Sequence, residues 1–208
     1  MKGRGMKWIF ANLPRLAVVA FLAWAAYMLW GRSPGDVFAD CRQGVAGADI
    51  GGPFTLVDQT GATVTDEQVL AKPALVYFGY TSCPDVCPLD AARNSAAVDI
   101  LEEQGFDVTP IFITVDPGRD TPAVLAEFTA NFQPKMLGLT GSAEQIKSAA
   151  QAYKVYYKQQ DSGDAYYLMD HTVFTYLMLP GSGLADYYRR DVSAEAMARS
   201  VGCFLQHS

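Results

Sequence analysis

The residues of this chain best suited to metal or redox chemistry are two closely spaced cysteines, Cys83 and Cys87. They follow an apolar run, Ala74 to Phe78, that predicts a buried strand, and a helical pattern follows Pro88. Each cysteine precedes a proline, which disfavours α-helical backbone in the residue before it and suits a first helical turn. We therefore expect both thiols in a tight, exposed turn, with the regular helix starting near Pro88. The positive end of that helix would lower their pKa values.

A strand that delivers two thiols to the start of a helix is typical of thioredoxin-like folds. Those folds mostly place two residues between the cysteines, whereas three separate Cys83 from Cys87. The wider spacing favours holding an ion over fast dithiol exchange. The alternative is a thiol–disulfide oxidoreductase in which Cys83 attacks and Cys87 resolves.

The chain has two histidines, and their contexts differ. His207 is a solvated residue of the chain end in the simplest interpretation. His171 lies between two predicted sheet segments, where a structural, hydrogen-bonded role is the simplest one. Together with Cys83 and Cys87, however, its imidazole completes a donor set that suits copper, whereas a structural zinc site would need a fourth ligand. Asp170 either orients the imidazole or is a surface charge at a strand end.

Three segments in order resemble the Sco/SenC family of copper chaperones: Lys72 to Pro88, Thr114 to Pro122, and Asp170 to Thr172. The resemblance runs from about Ile50 to the C-terminal helix. It implies a thioredoxin-like fold, with copper bound through Cys83, Cys87 and His171. It also implies a role in assembling the binuclear copper centre of cytochrome c oxidase subunit II. A periplasmic copper donor and a thiol reductant are further expected partners.

The chain departs from the family pattern at two positions that are not expected ligands. Gly118 replaces a commonly acidic residue, and Thr172 stands where serine is usual. The segment around Gly118 predicts a turn followed by a helix capped by Thr121. Its residues are expected to be structural except Arg119, which could also dock a partner or orient an acidic group.

The resemblance leaves two activities open. The first is a metallochaperone, a binding and transfer protein whose chemistry is ligand exchange. The second is a reductase that reduces the cysteines of the oxidase copper site through Cys83 and Cys87. His171 discriminates between them, because a dithiol reductase does not need a distant histidine. A copper or redox sensor is a third class, which nothing in the sequence supports or excludes.

Cys41 and Cys203 remain outside this group. In an oxidising compartment, an even cysteine count favours a disulfide between them. The alternative is one buried and one exposed free thiol. Asp40 before Cys41 is a poor context for lipid attachment, where a small residue is expected.

Hydrophobicity and charge divide the chain into four parts. Residues 1–8 are a short basic N-terminus, and residues 9–30 predict a transmembrane anchor of roughly the length that spans a bilayer. A tether over 31–50 and a thioredoxin-like copper-binding domain over 51–208 follow. The alternative for residues 9–30 is a cleaved signal peptide. Both alternatives export the domain, and the anchor predicts a single-pass protein of the bacterial inner membrane with its domain in the periplasm.

The predicted exported part is strongly acidic. All 22 acidic residues and 11 of the basic residues lie from Asp36 onward, which gives this part a net charge of −11. Such a domain is a poor candidate for nucleic-acid binding, which requires basic patches. The acidity is most simply explained by solubility.

Periodicity and turn residues predict a mixed α/β domain. Taken in chain order, the predicted elements indicate a mixed sheet flanked by helices, with an N-terminal hairpin. The predicted strands are Phe54 to Asp58, Thr63 to Thr65, Ala74 to Gly79, Val108 to Val115, Tyr153 to Gln159, Tyr166 to Met169, Val173 to Leu179 and Leu184 to Tyr188. The predicted helices are Leu89 to Gln104, Thr121 to Phe132, Ser142 to Tyr153, and one from Ser193 onward.

Overall fold

The computed structural model describes residues 18–22, 24, 38–43, 50–160 and 167–207. The chain divides into one unit that ends at Asp40 and another that begins at Cys41. Within the predicted span 9–30, residues 18–22 and 24 are helical, and the others lie outside the described residues. Among the described parts of the chain, no helix is both long and apolar enough to cross a membrane. Most of the predicted tether, 31–50, also lies outside them.

The second unit contains a seven-stranded main sheet. Its strands are β1 (Thr55–Asp58), β2 (Thr63–Thr65), β3 (Ala74–Gly79), β4 (Thr109–Thr114), β5 (Leu137–Thr140), β8 (Thr175–Leu179) and β9 (Gly183–Tyr188). Their order across the sheet is β2-β1-β5-β4-β3-β8-β9. A separate pair is formed by β6 (Tyr157–Gln159) and β7 (Met169–His171). The helices are α1 (Asp66–Val69), α2 (Val86–Glu103), α3 (Pro122–Ala130), α4 (Ala143–Ala152) and α5 (Ala194–Gln206).

Strand β3 lies inside the sheet and leads to the cysteine pair. It is parallel to β4 and antiparallel to β8, and all six of its residues are buried. Side chains alternate between the two faces of a strand, so complete burial means that both faces are covered. This arrangement confirms the predicted mixed sheet, and the antiparallel pairing of β1 with β2 matches the predicted hairpin.

The predicted helix starts agree with the structure at three caps. The hydroxyl groups of Thr121, Ser142 and Ser193 each accept a hydrogen bond from a backbone N–H in the first helical turn. Ser142 also forms the predicted capping box with Gln145. Local side-chain chemistry therefore fixes where α3, α4 and α5 begin.

Two elements were missing from the predicted order. Strand β5 lies between β1 and β4, and α1 is a single turn that follows β2. A four-residue strand that contains Gly138 carries no usable periodicity. The close approach of α3 favours glycine at position 138, because a Cβ atom there would lie 3.1 Å from the Cβ atom of Leu125.

The short sheet of β6 and β7 holds the candidate histidine. Its register pairs Tyr157 with His171, and Thr172 N donates to Tyr156 O at 2.9 Å. The predicted β6 was too long, because Tyr153 is the C-cap of α4. Residues 161–166, between the two strands, lie outside the described residues.

Candidate metal centre

The two cysteines of the pair lie at the junction between β3 and α2. Cys83 is in the connecting loop, where its N–H donates to Tyr80 O at 3.3 Å, and Cys87 is in the first turn of α2. The predicted exposure of both thiols is wrong, because only 8% of Cys83 and 0% of Cys87 is accessible to solvent. The helix begins at Val86, before Pro88, since a proline in the first turn removes no intrahelical hydrogen bond. Cys87 is therefore part of α2 and lies among its buried residues.

His171 reaches the cysteine pair from β7. Its Nε2 lies 3.3 Å from the Sγ of Cys87, and the ligand atoms of Cys83, Cys87 and His171 all lie within 4.8 Å of one another. Its Nδ1 lies 3.0 Å from the carbonyl oxygen of Thr172. Because a carbonyl oxygen only accepts, Nδ1 carries the proton, and Nε2 of the neutral imidazole keeps an unprotonated lone pair beside the sulfurs.

Two tyrosines form the walls around the imidazole. The ring centroids of Tyr77 and Tyr80 lie 6.2 Å and 5.8 Å from that of His171, and both rings meet it edge to face. Both tyrosines are almost completely buried. Two buried aromatic rings thus pack against the imidazole, which limits its movement.

The two thiols have opposite acidities. A hydrogen bond from the Cys87 thiol lowers the pKa of Cys83 to about 3, against the opposing effect of burial. The backbone N–H of Cys87 also donates to the Sγ of Cys83 at 3.4 Å. The same contact between the sulfurs, together with burial, raises the pKa of Cys87. The expected lowering of the pKa therefore applies to Cys83 and is wrong for Cys87 while no metal is bound.

Asp170 does not orient the imidazole. Its carboxylate is exposed and accepts a hydrogen bond from Gln160 Nε2 at 2.6 Å. Neighbouring residues of a strand point to opposite faces, so Asp170 faces away from the cysteines when His171 faces toward them. Of its two expected roles, the structure matches the surface charge, and the carbonyl of Thr172 orients the ring instead.

The segment that follows β4 connects both halves of the site. Arg119 pairs with Asp116, donates to Tyr167 O at 2.9 Å and lies 3.7 Å from the centre of the Tyr167 ring. The hydroxyl of Tyr167 donates to Asp116 at 2.8 Å. Arg119 thus holds Tyr167, just before β7, against the segment that follows β4. Strand β7 carries His171. Of the two roles expected for Arg119, the one matched by the structure is orientation of an acidic group.

The neighbouring Asp120 fastens the cysteine loop. Its carboxylate is completely buried and accepts from Thr81 N at 3.0 Å and from Thr81 Oγ1 and Thr114 Oγ1 at 2.6 Å each. Burial raises the pKa of Asp120, and these hydrogen bonds oppose the increase. Sequence reasoning assigned this residue to an ordinary turn and missed its link to the loop of Cys83.

Sequence reasoning also made no prediction for a second buried carboxylate, that of Asp90. Asp90 lies one helical turn after Cys87 and accepts from the hydroxyl of Tyr77 at 3.0 Å. Arg93 and Arg190 pair with it at 3.2 Å and 3.3 Å. Burial raises the pKa of Asp90 against the opposing effect of Arg93. Its spacing on α2 was the one available signal, because residues three positions apart share a helix face.

Cys41 and Cys203 are joined by a disulfide, with their Cα atoms 5.4 Å apart. Cys41 is 2% exposed, Cys203 is half-buried near the end of α5, and His207 is exposed beside them. The ligand atoms of these three residues also lie within 4.8 Å of one another. The structure thus contains two Cys-Cys-His groups in its described part, one reduced and one with its sulfurs bonded.

The reduced group is suited to a soft metal ion. Two cysteine sulfurs favour copper(I), and an imidazole is an acceptable ligand for either copper oxidation state. One sulfur is already a thiolate, so metal binding needs to displace a proton only from Cys87. Such a site can hold an ion through three side chains, or it can exchange disulfides through two.

Comparison with known proteins gives matches over the whole of this domain. The model of the SCO1/SenC family matches residues 42–206. Protein SenC of Rhodobacter capsulatus is 59% identical over 172 residues, which are 82% of this chain and 78% of that protein.

Solved structures show the same fold. The copper-bound crystal structure of Arabidopsis thaliana ScoI is 40% identical, with a TM-score of 0.74 over 76% of this chain and 99% of that one. Copper-bound ScoI of Bradyrhizobium japonicum is 38% identical, with a TM-score of 0.68 over 74% of this chain and 98% of that one. The predicted thioredoxin-like architecture is confirmed by these similarities.

Proposed function

The chain belongs to the SCO1/SenC family, and we propose that it is a copper metallochaperone that binds one copper ion through Cys83, Cys87 and His171. It helps to assemble the binuclear copper centre of cytochrome c oxidase subunit II. The observation that carries this proposal is the convergence of two sulfurs and one imidazole nitrogen within 4.8 Å. The copper bound to two structurally similar proteins supports the choice of metal.

The residues of this chain prepare the site in distinct ways. The thiolate of Cys83 attracts a cation, Cys87 releases its proton when it becomes a ligand, and His171 presents Nε2 because Thr172 holds Nδ1. Tyr77 and Tyr80 pack against the imidazole. Delivery to the oxidase then requires that incoming thiolates of subunit II replace these ligands.

The expected place of action is the periplasmic face of a bacterial inner membrane, with residues 9–30 as a single-pass anchor. The apolar sequence of this segment and the basic residues before it support that assignment. N-terminal sequencing of the mature protein tests it. A mature chain that retains residues 9–30 is expected, and one that starts near Ala26 would mean that the segment is a cleaved signal peptide.

One observation favours a second function, the reduction of cysteines in the oxidase copper site. Cys83 combines a lowered pKa with the greater exposure of the two, as an attacking thiolate requires. It would attack the acceptor disulfide and release one acceptor thiolate. Cys87 would then displace the second, leaving a Cys83–Cys87 disulfide and two acceptor thiols after protonation. A separate thiol reductant must restore the pair.

Oxidase assembly in cells separates the two functions. Replacing His171 by Ala should abolish copper delivery and oxidase activity, with partial recovery when copper is supplied in excess. Asp170→Ala, at the exposed neighbour on the same strand, is the matched control and should leave oxidase activity unchanged. If His171→Ala cells assemble the oxidase normally at low copper while cells with either cysteine replaced do not, the protein acts primarily as a reductase.

A further inference from the structure

The disulfide-bonded group at the end of α5 has the same donor types as the candidate metal centre. Cys203 and His207 are four residues apart, which places them on one face of the helix end, and Cys41 approaches from the loop before β1. The sulfurs of Cys41 and Cys203 and a ring nitrogen of His207 lie within 4.8 Å of one another.

A hydrogen bond to a backbone carbonyl fixes the tautomer of His207, as it does for His171. The Nδ1 of His207 lies 2.8 Å from the carbonyl oxygen of Cys203. A carbonyl oxygen only accepts, so Nδ1 carries the proton, and Nε2 of the neutral ring keeps a lone pair that can bind a metal ion. His207 is exposed and Cys203 is half-buried, so the group is open to solvent on one side.

Contacts other than the disulfide hold Cys41 in place. The backbone carbonyl of Cys41 accepts from the hydroxyl of Ser200 at 2.7 Å, and Ser200 lies 3.0 Å from the buried hydroxyl of Tyr188. Two residues further on, Gln43 N donates to Asp186 in β9 at 2.6 Å. These hydrogen bonds hold the backbone around Cys41 against α5 and β9 independently of the S–S bond.

We propose that Cys41, Cys203 and His207 form a second copper(I) site that opens when their disulfide is reduced. A dithiol supplies the two electrons: its sulfurs become a disulfide, and Cys41 and Cys203 each take up a proton. Both protons are released when the thiolates bind copper(I), and His207 contributes Nε2. In the oxidised state the S–S bond occupies both sulfurs, so the site is closed to metal.

This proposal is independent of the proposed copper delivery and can be tested without it. In the full chain, Cys83 and Cys87 are both replaced by Ser, which removes the sulfurs of the first site. The protein is titrated with copper(I) in competition with a coloured copper(I) chelator, before and after treatment with a dithiol that is then removed. We expect no copper binding before reduction and one ion per chain after it.

Two further variants in this background identify the ligands. His207→Ala should weaken copper(I) binding at least about tenfold, whereas His171→Ala should leave it unchanged. Ser200→Ala should also weaken binding, because it frees the backbone of Cys41. Circular dichroism and a count of free thiols establish that the reduced protein is folded with both sulfurs available.

Three results would overturn the proposal. The first is a folded, reduced protein with two free thiols that leaves all copper(I) with the chelator. The second is an unchanged affinity in the His207→Ala variant. The third is a disulfide that the dithiol cannot reduce unless the protein unfolds, which would make it a structural bond only. Failure of oxidase assembly in His171→Ala cells has no bearing on any of them.

Discussion

At the scale of single residues, the cysteine pair shares one proton in the metal-free protein. The pKa of Cys83 is about 3, so it is a thiolate at neutral pH, whereas Cys87 keeps its proton. This asymmetry prepares the site for a cation and also defines which sulfur would attack a disulfide. The hydrogen bond between the sulfurs is its main cause.

The first prediction concerns the acidity of Cys83. A group with a lowered pKa is ionised above that pKa, so the ultraviolet absorbance of one thiolate per chain should stay constant between about pH 5 and pH 8. Cys87→Ala removes the hydrogen-bond donor and should make the thiolate appear only as the pH rises. Cys87→Ser keeps a donor and should resemble the unchanged protein. A wild-type thiolate signal that grows throughout this pH range would contradict the assignment.

The candidate ligands were predictable because cysteine and histidine are rare in this chain and chemically distinctive. The residues that surround these ligands were not predictable. Tyr77 and Asp90 meet only because β3 and α2 pack together, and the link from Asp120 to Thr81 joins residues 39 positions apart. No local pattern marks such pairs. The pKa of Cys87 was also wrongly predicted, because it depends on burial and on the neighbouring sulfur.

At the scale of elements, the site needs two supports that approach each other from different parts of the chain. The junction between β3 and α2 supplies the sulfurs, and the short sheet of β6 and β7 supplies His171. The segment after β4 touches both, through Asp120 to the cysteine loop and through Arg119 to Tyr167. We therefore expect this segment to control how precisely the histidine meets the sulfurs.

The second prediction tests that coupling. Arg119→Ala removes the hydrogen bond to Tyr167 O and the stacking on its ring, and should weaken copper binding about 10-fold to 100-fold without removing a ligand. The matched control is Arg189→Ala, whose exposed side chain pairs only with the exposed Asp191 among the ion pairs described. Competition with a chelator measures both affinities. Equal affinities for the two variants would show that Arg119 does not position the site.

Elements with strong local signals were predicted well. The caps at Thr121, Ser142 and Ser193 and the apolar β3 all agree with the structure. The short β5 was missed, because its place between β1 and β4 is fixed by pairing with distant strands. The start of α2 was predicted at Leu89, after Pro88, whereas the helix begins at Val86. The packing that buries Cys87 in the first turn is not visible in the sequence.

At the scale of the whole molecule, the disulfide joins the beginning of the second unit to its last helix. Cys41 and Cys203 are separated by 162 positions, so their bond closes most of this unit into one loop. By chain entropy alone, such a loop would stabilise the fold by about 5 kcal/mol, and measured effects are often smaller.

The third prediction follows from this loop. Replacing Cys41 and Cys203 together by Ser should lower the free energy of unfolding by about 2 to 5 kcal/mol, as measured by denaturant titration. Copper affinity at Cys83, Cys87 and His171 should remain unchanged, because neither replaced residue contacts them in the described structure. Recovery of both residues as alkylated free thiols in the unreduced wild-type protein would instead show that the bond is absent.

The central claim is that two sulfurs and one imidazole hold the copper ion. X-ray absorption at the copper edge tests it most directly, on the chain with Cys41 and Cys203 replaced by Ser, so that Cys83 and Cys87 are the only cysteines left. The spectrum should show two sulfur ligands and one nitrogen ligand, and His171→Ala should remove the nitrogen. A shell of nitrogen and oxygen alone, or an unchanged spectrum after His171→Ala, would contradict the claim.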